Sequence, residues 1–260
     1  MGEYLKPHKA DIRGPCPLLN SLANHGYLAR DGRGFHANEL YSALGKAGLS
    51  PALRAVLSNP VFLEYHGKQR QQTKKFLSRT WYLMRHPWAL FFSFFGMREP
   101  GQFDPDGKPV LDLDQIGREG VAEHDISLTR LDRAQGDHLA AQPDLVNELL
   151  SISSDGGKTI TVEDLAALRL RRIEKQKADN PGLFYGPLQH RISCTEIALI
   201  VCVLGDGSKV PVEYVRALFA EERLPVQEGW KKRSWWSTLG FRELGSTSKK
   251  VRELVGLQAQ

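Results

Sequence analysis

The sequence predicts an all-α fold, a single-domain helical bundle spanning residues 1–260 with at most a minor β-hairpin. Three observations predict this class. Apolar residues recur at helical spacing in many segments, several segments carry the residues that begin or end helices, and strand-like alternation is scarce. With 260 residues, 41% of them hydrophobic, the chain can bury one sizeable core.

Two helices have clear signals at their first residues. Ser50 and Pro51 are an N-cap and a first-turn proline ahead of an apolar face. Thr161 and Asp164 have the spacing of a capping box, and the helix that they begin should end before Pro181. Each pair predicts the first residue of a helix from side chains at most four positions apart.

Three more helices are predicted toward the C-terminus. Residues 193–204 are nearly all apolar, so this helix belongs in the middle of a domain. Residues 211–222 and 248–257 have the periodicity of two further helices. A minor strand or hairpin is expected near residues 157–162, and no internal repeat is evident.

The distribution of charged and apolar residues limits which partners the protein can have. No uncharged apolar stretch reaches the roughly 18 residues of a membrane span, and the nearest, 88–97, is too short, so none is expected. The formal net charge is +5. The segment Trp230–Trp236 mixes cations with aromatic rings, a combination that binds single-stranded nucleic acid in some proteins. Packing of these tryptophans against the core, with the lysines outside, is the other explanation.

Cys16 stands between Pro15 and Pro17. The prolines restrict their own φ angles, and Pro17 also biases Cys16 toward an extended conformation. A stiff, non-helical backbone of this kind suits one thiolate bonded to a metal, although a structural cysteine in a proline-rich turn has the same sequence. The other two cysteines, Cys194 and Cys202, are eight residues apart on one predicted helix and are interpreted as buried thiols.

A second cluster is Glu123-His124-Asp125-Ile126-Ser127. If a helix begins here, Glu123 and Ser127 face the same side, and their oxygens suit a hard cation such as magnesium. Asp125 is available to bind the ring of His124 and to fix its orientation. The alternative is a charged first turn of a helix.

Glu196 is the third candidate, because it is a carboxylate within an apolar run. Burial should raise the pKa of Glu196, which suits a general acid–base catalyst. The alternative places Glu196 near the start of its helix, facing water.

In this order, the three features resemble the pattern of the fungal haem-thiolate peroxidases, the family of chloroperoxidase and the unspecific peroxygenases. The resemblance covers most of the chain and continues to residues 223–225. His124, where the long branch of the family has glycine, is typical of the short branch. No cysteine follows Cys202, so the covalent dimer that some short members form is not supported.

The resemblance implies an all-α domain that encloses a haem b. It implies that Cys16 is the axial ligand of the haem iron, presented by Pro15 and Pro17, and that Leu19 packs on the proximal porphyrin face. It also implies a magnesium ion, with manganese as the alternative.

Three residues are assigned to that metal by resemblance: Glu123 and Ser127 bind it through their side chains, and His124 binds it through its backbone carbonyl. Glu196 would act as acid–base on hydrogen peroxide, with His124 holding it and Asp125 orienting His124. The substrate pocket would be lined by Ala122, Ile126, Ile192, Leu199 and Ile200.

The implied function is that of a secreted haem-thiolate unspecific peroxygenase. Such an oxidoreductase uses hydrogen peroxide to hydroxylate or epoxidise apolar organic substrates, with one-electron peroxidase and haloperoxidase side activities. Two alternatives stay open: a basic helical module that binds nucleic acid through Trp230–Trp236, and a cysteine hydrolase that uses Cys16. Against the hydrolase, no helix is evident after Cys16, and Pro17 has no N–H to donate.

Overall fold

Helices dominate the computed structural model, which describes residues 2–65, 96–121 and 123–256. The eight α-helices of these residues confirm the predicted all-α class. Their bounds are Pro17–Asn24 (α1), Ala37–Lys46 (α2), Pro51–Ser58 (α3), Pro143–Ser151 (α4), Val162–Asp179 (α5), Pro187–Leu204 (α6), Val212–Phe219 (α7) and Phe241–Val255 (α8). The apolar stretch 88–97 lies outside the described residues except for its last two positions, and Ala122 also lies outside them.

Both predicted caps are present. Ser50 Oγ accepts the N–H of Leu53 at 3.4 Å where α3 begins. At the start of α5, Thr161 Oγ1 accepts the N–H of Asp164 at 3.1 Å, and Asp164 Oδ2 accepts the N–H of Thr161 at 2.9 Å. Helix α5 ends at Asp179, before the predicted stop.

Two helices begin earlier than the apolar pattern predicts. Helix α6 begins at Pro187 rather than at residue 193, because its first turns are polar and carry no apolar periodicity. Helix α8 begins at Phe241 rather than at residue 248, although Gly245 and three serine or threonine residues weaken its intrinsic helix propensity. Packing of α8 against α6 and α5 outweighs that weakness.

Helix α6 lies at the centre of the fold, as its composition predicts. Ile197, Ala198 and Val201 are fully buried, and α8 packs along it. By length and hydropathy α6 could cross a membrane, but 61% of it is buried inside the protein. Its apolar sequence is therefore that of a core helix.

A two-stranded antiparallel sheet joins two distant segments. Strand β1 (Thr159–Thr161) pairs with β2 (Lys209–Pro211), with Ile160 opposite Val210. The predicted strand near 157–162 is therefore present, but it pairs across the fold and not within a hairpin. Each strand leads directly into a helix, α5 or α7, and the sequences 155–165 and 206–215 are similar apart from one additional residue in the first. Sequence analysis alone missed this internal similarity.

Candidate active site

Cys16 is the N-cap residue of α1. Its backbone is extended, with φ −83° and ψ 108°, and Pro17 is the first helical residue. The predicted non-helical backbone at Cys16 is confirmed, but the expectation that no helix follows it is wrong. Pro17 fits at the first position because the N–H it lacks has no partner within the helix there. Pro15 packs closely on Gly117, where an added Cβ would be 3.3 Å from the Pro15 ring.

Two opposing influences act on the Cys16 thiol. Burial raises the pKa of Cys16, while hydrogen bonds from the backbone N–H groups of Leu19 and Leu18 lower it. These two amides point at the sulfur because they begin a helix. A cation at the sulfur would stabilise the thiolate that burial disfavours. Leu19 itself belongs to the hydrophobic core.

Glu196 and His124 form a hydrogen-bonded pair, although they are 72 positions apart in sequence. His124 Nε2 is 3.1 Å from Glu196 Oε2, and its Nδ1 donates to the backbone carbonyl of Asp125 at 2.7 Å. The ring is thus held by Asp125, but through the carbonyl and not the carboxylate. Glu196 lies in the middle of α6 and not near its start.

The charge of this pair differs from the expectation for an isolated buried carboxylate. Burial alone would raise the pKa of Glu196, but the charge and hydrogen bond of His124 outweigh it, so the pKa of Glu196 is lowered. For His124, burial would lower the pKa, and Glu196 outweighs it, so the pKa of His124 is raised. The prediction that the pKa of Glu196 is raised is therefore wrong. Both shifts favour the charged forms, a carboxylate beside an imidazolium.

Cys16 and Glu196 have similar surroundings. Half of the Glu196 side chain (51%) is accessible, yet protein surrounds the group closely enough to desolvate it strongly. Cys16 is likewise partly accessible and strongly desolvated. The two groups also interact electrostatically, since the charge of Glu196 raises the pKa of Cys16. The thiol and the acid–base pair are therefore coupled electrostatically.

The segment that carries His124 is a loop, not the first turn of a helix. Residues 123–130 have no helical turn, and Ile126 has a φ of 64°. A β-branched residue rarely adopts this left-handed conformation, which costs about 1–3 kcal/mol. The prediction that Glu123 and Ser127 lie on the same side of a helix is therefore wrong, because no helix begins here.

A buried polar network holds this loop. Asp132 Oδ1 accepts the N–H of Ile126 at 2.7 Å, and Arg169 Nη1 donates to the carbonyl of the same residue. Arg172 Nε donates to the carbonyl of Ser127 at 3.3 Å, and Asn180 donates to Asp132 at 3.0 Å. Asp132, Arg169 and Arg172 are each at most 2% exposed. The network fixes both peptide groups of Ile126, which explains how its strained conformation is maintained.

Glu123 carries a buried carboxyl with a raised pKa. Burial raises the pKa of its carboxyl to about 8, and within 2–65, 96–121 and 123–256 its side chain forms no hydrogen bond or ion pair. Ser127 Oγ receives one long bond, 3.4 Å from the N–H of Thr129. No group of three His, Cys, Asp or Glu side chains in the described part of the chain could hold a metal. The predicted metal ligands are the Glu123 side chain, the Ser127 side chain and the backbone carbonyl of His124. Only Glu123 is a side chain of the four types searched, so the metal site stays a prediction.

Asp125 lies at the edge of the site. Its carboxylate accepts the N–H of Arg133 and the N–H of Phe184, each at 3.3 Å. Burial raises the pKa of Asp125. Its carboxylate thus links the loop to the segment that leads into α6.

A second polar network links the loop of Cys16 to distant segments. Asn20 Oδ1 accepts the N–H of Gly14 at 2.9 Å, and its Nδ2 donates to the carbonyl of Gly14 at 2.8 Å. The same Nδ2 donates to Glu222 Oε1 at 2.7 Å, and Arg130 Nη2 donates to that oxygen at 2.9 Å. Arg130 is 1% exposed and interacts electrostatically with Cys16. Glu222 has a φ of 47°. Ile126 and Glu222 are the two non-glycine residues with positive φ in the described ranges, and each belongs to one of the two polar networks.

The proposed pocket residues on α6 differ in burial. Ile192 and Leu199 are partly buried, Ile200 is 8% exposed, and all three are three or four positions from Glu196 on the helix. Ile126 is fully buried in the core. Their role as pocket walls stays a prediction.

Sequence reasoning missed the residues of both networks. Arg130, Asp132, Arg169 and Glu222 occur among many other charged residues, and their spacing marks none of them. The one available clue was that arginines fall at positions 169 and 172 of α5, where the apolar pattern of the helix predicts burial.

Comparison with known proteins assigns the chain to a family. The model of the family described as "Peroxidase, family 2" matches residues 2–235. The chain therefore belongs to peroxidase family 2, and this membership supports a haem cofactor. The family-level resemblance drawn from the three motifs is confirmed.

Three curated fungal proteins are similar to the chain. A chloroperoxidase of Leptoxyphium fumago is 26% identical over 87% of this chain and 56% of its own length. An aromatic peroxygenase of Cyclocybe aegerita is 24% identical over 83% of this chain and 54% of its own length. An aromatic peroxygenase of Coprinellus radians is 29% identical over 69% of this chain and 60% of its own length. The chain thus spans a little over half the length of the curated relatives it matches.

Proposed function

We propose that this chain is a haem-thiolate peroxygenase that uses hydrogen peroxide to insert oxygen into apolar organic molecules. The observation that carries the proposal is that Glu196, which is hydrogen-bonded to His124, lies close enough to Cys16 for its charge to act on the thiol. Membership in peroxidase family 2 and similarity to proteins named chloroperoxidase and aromatic peroxygenase support it.

Cys16 is proposed to hold haem b through its sulfur. A thiolate-bound haem activates peroxide, since the sulfur donates electron density to iron and favours cleavage of the O–O bond. The amides of Leu18 and Leu19 stabilise negative charge on the sulfur and so moderate this donation. Pro15 and Pro17 restrict the direction in which the sulfur points.

Glu196 is proposed as the general acid–base. Because His124 lowers its pKa, its Oε atoms are unprotonated at neutral pH and can accept a proton from hydrogen peroxide. The same carboxyl then returns the proton to the departing oxygen. His124 holds the carboxylate in position, and the carbonyl of Asp125 holds His124.

Glu123, Ser127 and the backbone carbonyl of His124 are proposed to bind magnesium, or manganese in its place. The support is the Glu123 carboxyl, whose pKa of about 8 would fall on binding a cation. The ion would supply positive charge that balances an anionic group of the haem.

Apolar small molecules are the proposed substrates. Ile126, Ile192, Leu199, Ile200 and Ala122 are the proposed walls, although Ala122 lies outside the described residues. One-electron peroxidation and halide oxidation are proposed as side activities, and secretion is proposed from the resemblance alone.

An absorption spectrum of the purified protein, and of its dithionite-reduced carbon monoxide complex, tests the proposal. We expect a strongly red-shifted Soret band, and we expect Cys16→Ala to abolish it. Cys202→Ala is the control, because Cys202 is fully buried in the core and donates to Thr247 Oγ1. A protein that binds no haem, or a band that survives in Cys16→Ala, would overturn the proposal.

A further inference from the structure

Two tryptophans project from the surface between α7 and α8. Trp235 is 81% exposed and Trp236 is 73% exposed, and they form part of a short 3₁₀ turn, Trp235–Ser237. The expectation that the tryptophans of this segment pack against the core is therefore wrong for these two. Adjacent exposed aromatic rings of this size commonly mark an interaction surface.

The segment that presents them is anchored at its start. Trp230 is buried, and its Nε1 donates to the carbonyl of Val203 in α6 at 2.9 Å. Arg233 donates to Glu243 Oε2 of α8 at 2.7 Å and to the carbonyl of Ser237 at 3.3 Å. The turn that carries the two rings is thus tied to two helices.

The other end of the segment is anchored as well. Leu239 is fully buried, and its N–H donates to the carbonyl of Gly48 at 2.9 Å. Its carbonyl accepts the N–H of Ser50 at 2.9 Å. The two tryptophans therefore stand on a fixed base, and ordering them on binding costs little conformational entropy.

Positive charge beside the rings is uncompensated. Lys231 and Lys232 are exposed, and neither forms an ion pair within the described ranges. Arg233, by contrast, is paired with Glu243. The whole chain also carries a net charge of +5. The surface therefore complements an anionic partner.

We propose that the surface formed by Lys231, Lys232, Trp235 and Trp236 binds the interface of an anionic lipid bilayer. Tryptophan rings favour the headgroup region, which accommodates both an apolar body and a polar N–H. Lysine side chains beside them reach the anionic headgroups.

The geometry of the two rings favours a bilayer over single-stranded nucleic acid. Their centroids are 5.5 Å apart and their planes are inclined by 83°. Stacking of successive bases uses aromatic faces that are nearly parallel. Insertion into an interface has no such requirement. The proposal does not depend on the proposed function, because it involves neither Cys16 nor Glu196.

Co-sedimentation of the full chain with vesicles tests the proposal. One set of vesicles contains phosphatidylcholine alone, and the other contains about one third phosphatidylserine. We expect binding to the second set. The double change Lys231→Glu and Lys232→Glu should weaken it by at least about 30-fold at low salt, since each lysine contributes about a factor of five. The double change Trp235→Ala and Trp236→Ala should weaken binding at low and high salt alike, because its contribution is not screened.

Phe184→Ala and Lys177→Glu are matched controls, since they remove an exposed aromatic ring and an exposed cation elsewhere on the surface. Both should bind vesicles as the parent protein does. The proposal is overturned if the parent protein ignores anionic vesicles, or if the controls lose binding equally. It is also overturned if the tryptophan and lysine changes abolish binding of a single-stranded oligonucleotide, or self-association, while vesicle binding is absent.

Discussion

At the residue scale, Glu196 shows how one partner decides the charge of a group that burial would neutralise. Desolvation favours the protonated acid, but His124 lies 3.1 Å away with its other nitrogen already donating to a carbonyl. A ring that donates from Nδ1 can also donate from Nε2 only when it is protonated. The carboxylate and the imidazolium therefore stabilise each other.

Glu196→Gln should slow peroxide activation by about 10²–10⁴-fold, because an amide cannot accept and return the proton. The haem spectrum should not change, since Glu196 is not proposed to bind iron. Stopped-flow absorption after mixing with hydrogen peroxide measures the rate. Glu221→Gln is the control, because the Glu221 carboxylate is exposed and pairs with Arg223, away from His124. Equal rates in Glu196→Gln and the parent protein would assign the acid–base role elsewhere.

His25 links the N-terminal segment to the residues after α7. Its Nδ1 donates to the carbonyl of Gly2 at 2.8 Å, and its Nε2 accepts the N–H of Leu224 at 3.1 Å. Only the neutral ring can do both. Burial lowers the pKa of His25 below its ordinary value of 6.5.

The free energy of unfolding should therefore decrease as the pH falls below about 6.5, because the unfolded chain then binds the proton more readily than the folded protein. Above that pH the contribution is complete. Urea unfolding at pH 7.5 and 5.5 (about one unit on either side of the ordinary value) measures the difference. His25→Gln should reduce this difference in the free energy of unfolding. His8→Gln, at an exposed position, should leave the difference unchanged. An unchanged difference in His25→Gln would contradict the assignment.

At the scale of elements, the loop 123–130 is a strained segment whose shape is imposed from outside. Helix α5 supplies Arg169 and Arg172, and the loop's own continuation supplies Asp132. These three side chains bind the backbone on both sides of Ile126. The loop thereby presents His124 to Glu196 on α6.

Asp132→Ala should lower the free energy of unfolding by about 3–5 kcal/mol, because the Ile126 N–H and Asn180 Nδ2 lose their acceptor and the buried charge of Arg172 loses a nearby carboxylate. Asp144→Ala is the control, since Asp144 is exposed in the first turn of α4 and its loss should change stability by less than about 0.5 kcal/mol. Urea unfolding followed by circular dichroism measures both variants. Similar losses in the two variants would show that the network does not hold the loop.

At the scale of the whole molecule, Glu222 joins segments that are distant in sequence. It accepts hydrogen bonds from Asn20, 202 positions away, and from Arg130, 92 positions away. Asn20 in turn closes the loop that contains Cys16 by binding Gly14. The position of the thiol thus depends on residues from three parts of the chain.

Glu222→Gln should lower the free energy of unfolding by about 3–5 kcal/mol, because Arg130 is then a buried charge without its partner. It should also accelerate loss of haem, since the Cys16 loop loses its link to Arg130. Glu221→Gln, one position away, should cost at most about 1 kcal/mol, because the Glu221 carboxylate is exposed and its partner Arg223 keeps a second carboxylate, Glu228. Urea unfolding and the rate of haem release measure the two effects. Equal behaviour of the neighbouring variants would contradict the role of Glu222.

The sequence by itself determined what depends on residues within about four positions. The extended backbone of Cys16 follows from Pro17, and the caps of α3 and α5 follow from Ser50 and the pair Thr161 and Asp164. The order of the three motifs also indicated the family. The backbone of Cys16 and the two caps are local features, so the sequence contains their causes.

Only the tertiary structure decided the rest. The loop at 123–130 and the charge of Glu196 depend on contacts between residues 43 and 72 positions apart, and the lengths of α6 and α8 depend on packing between those helices. Many charged residues are spaced like Arg169 or Glu222, and the sequence does not show which of them become buried. Burial strengthens electrostatic interactions and makes unpaired charges costly, so the partner that the fold supplies sets both the conformation and the protonation of the site.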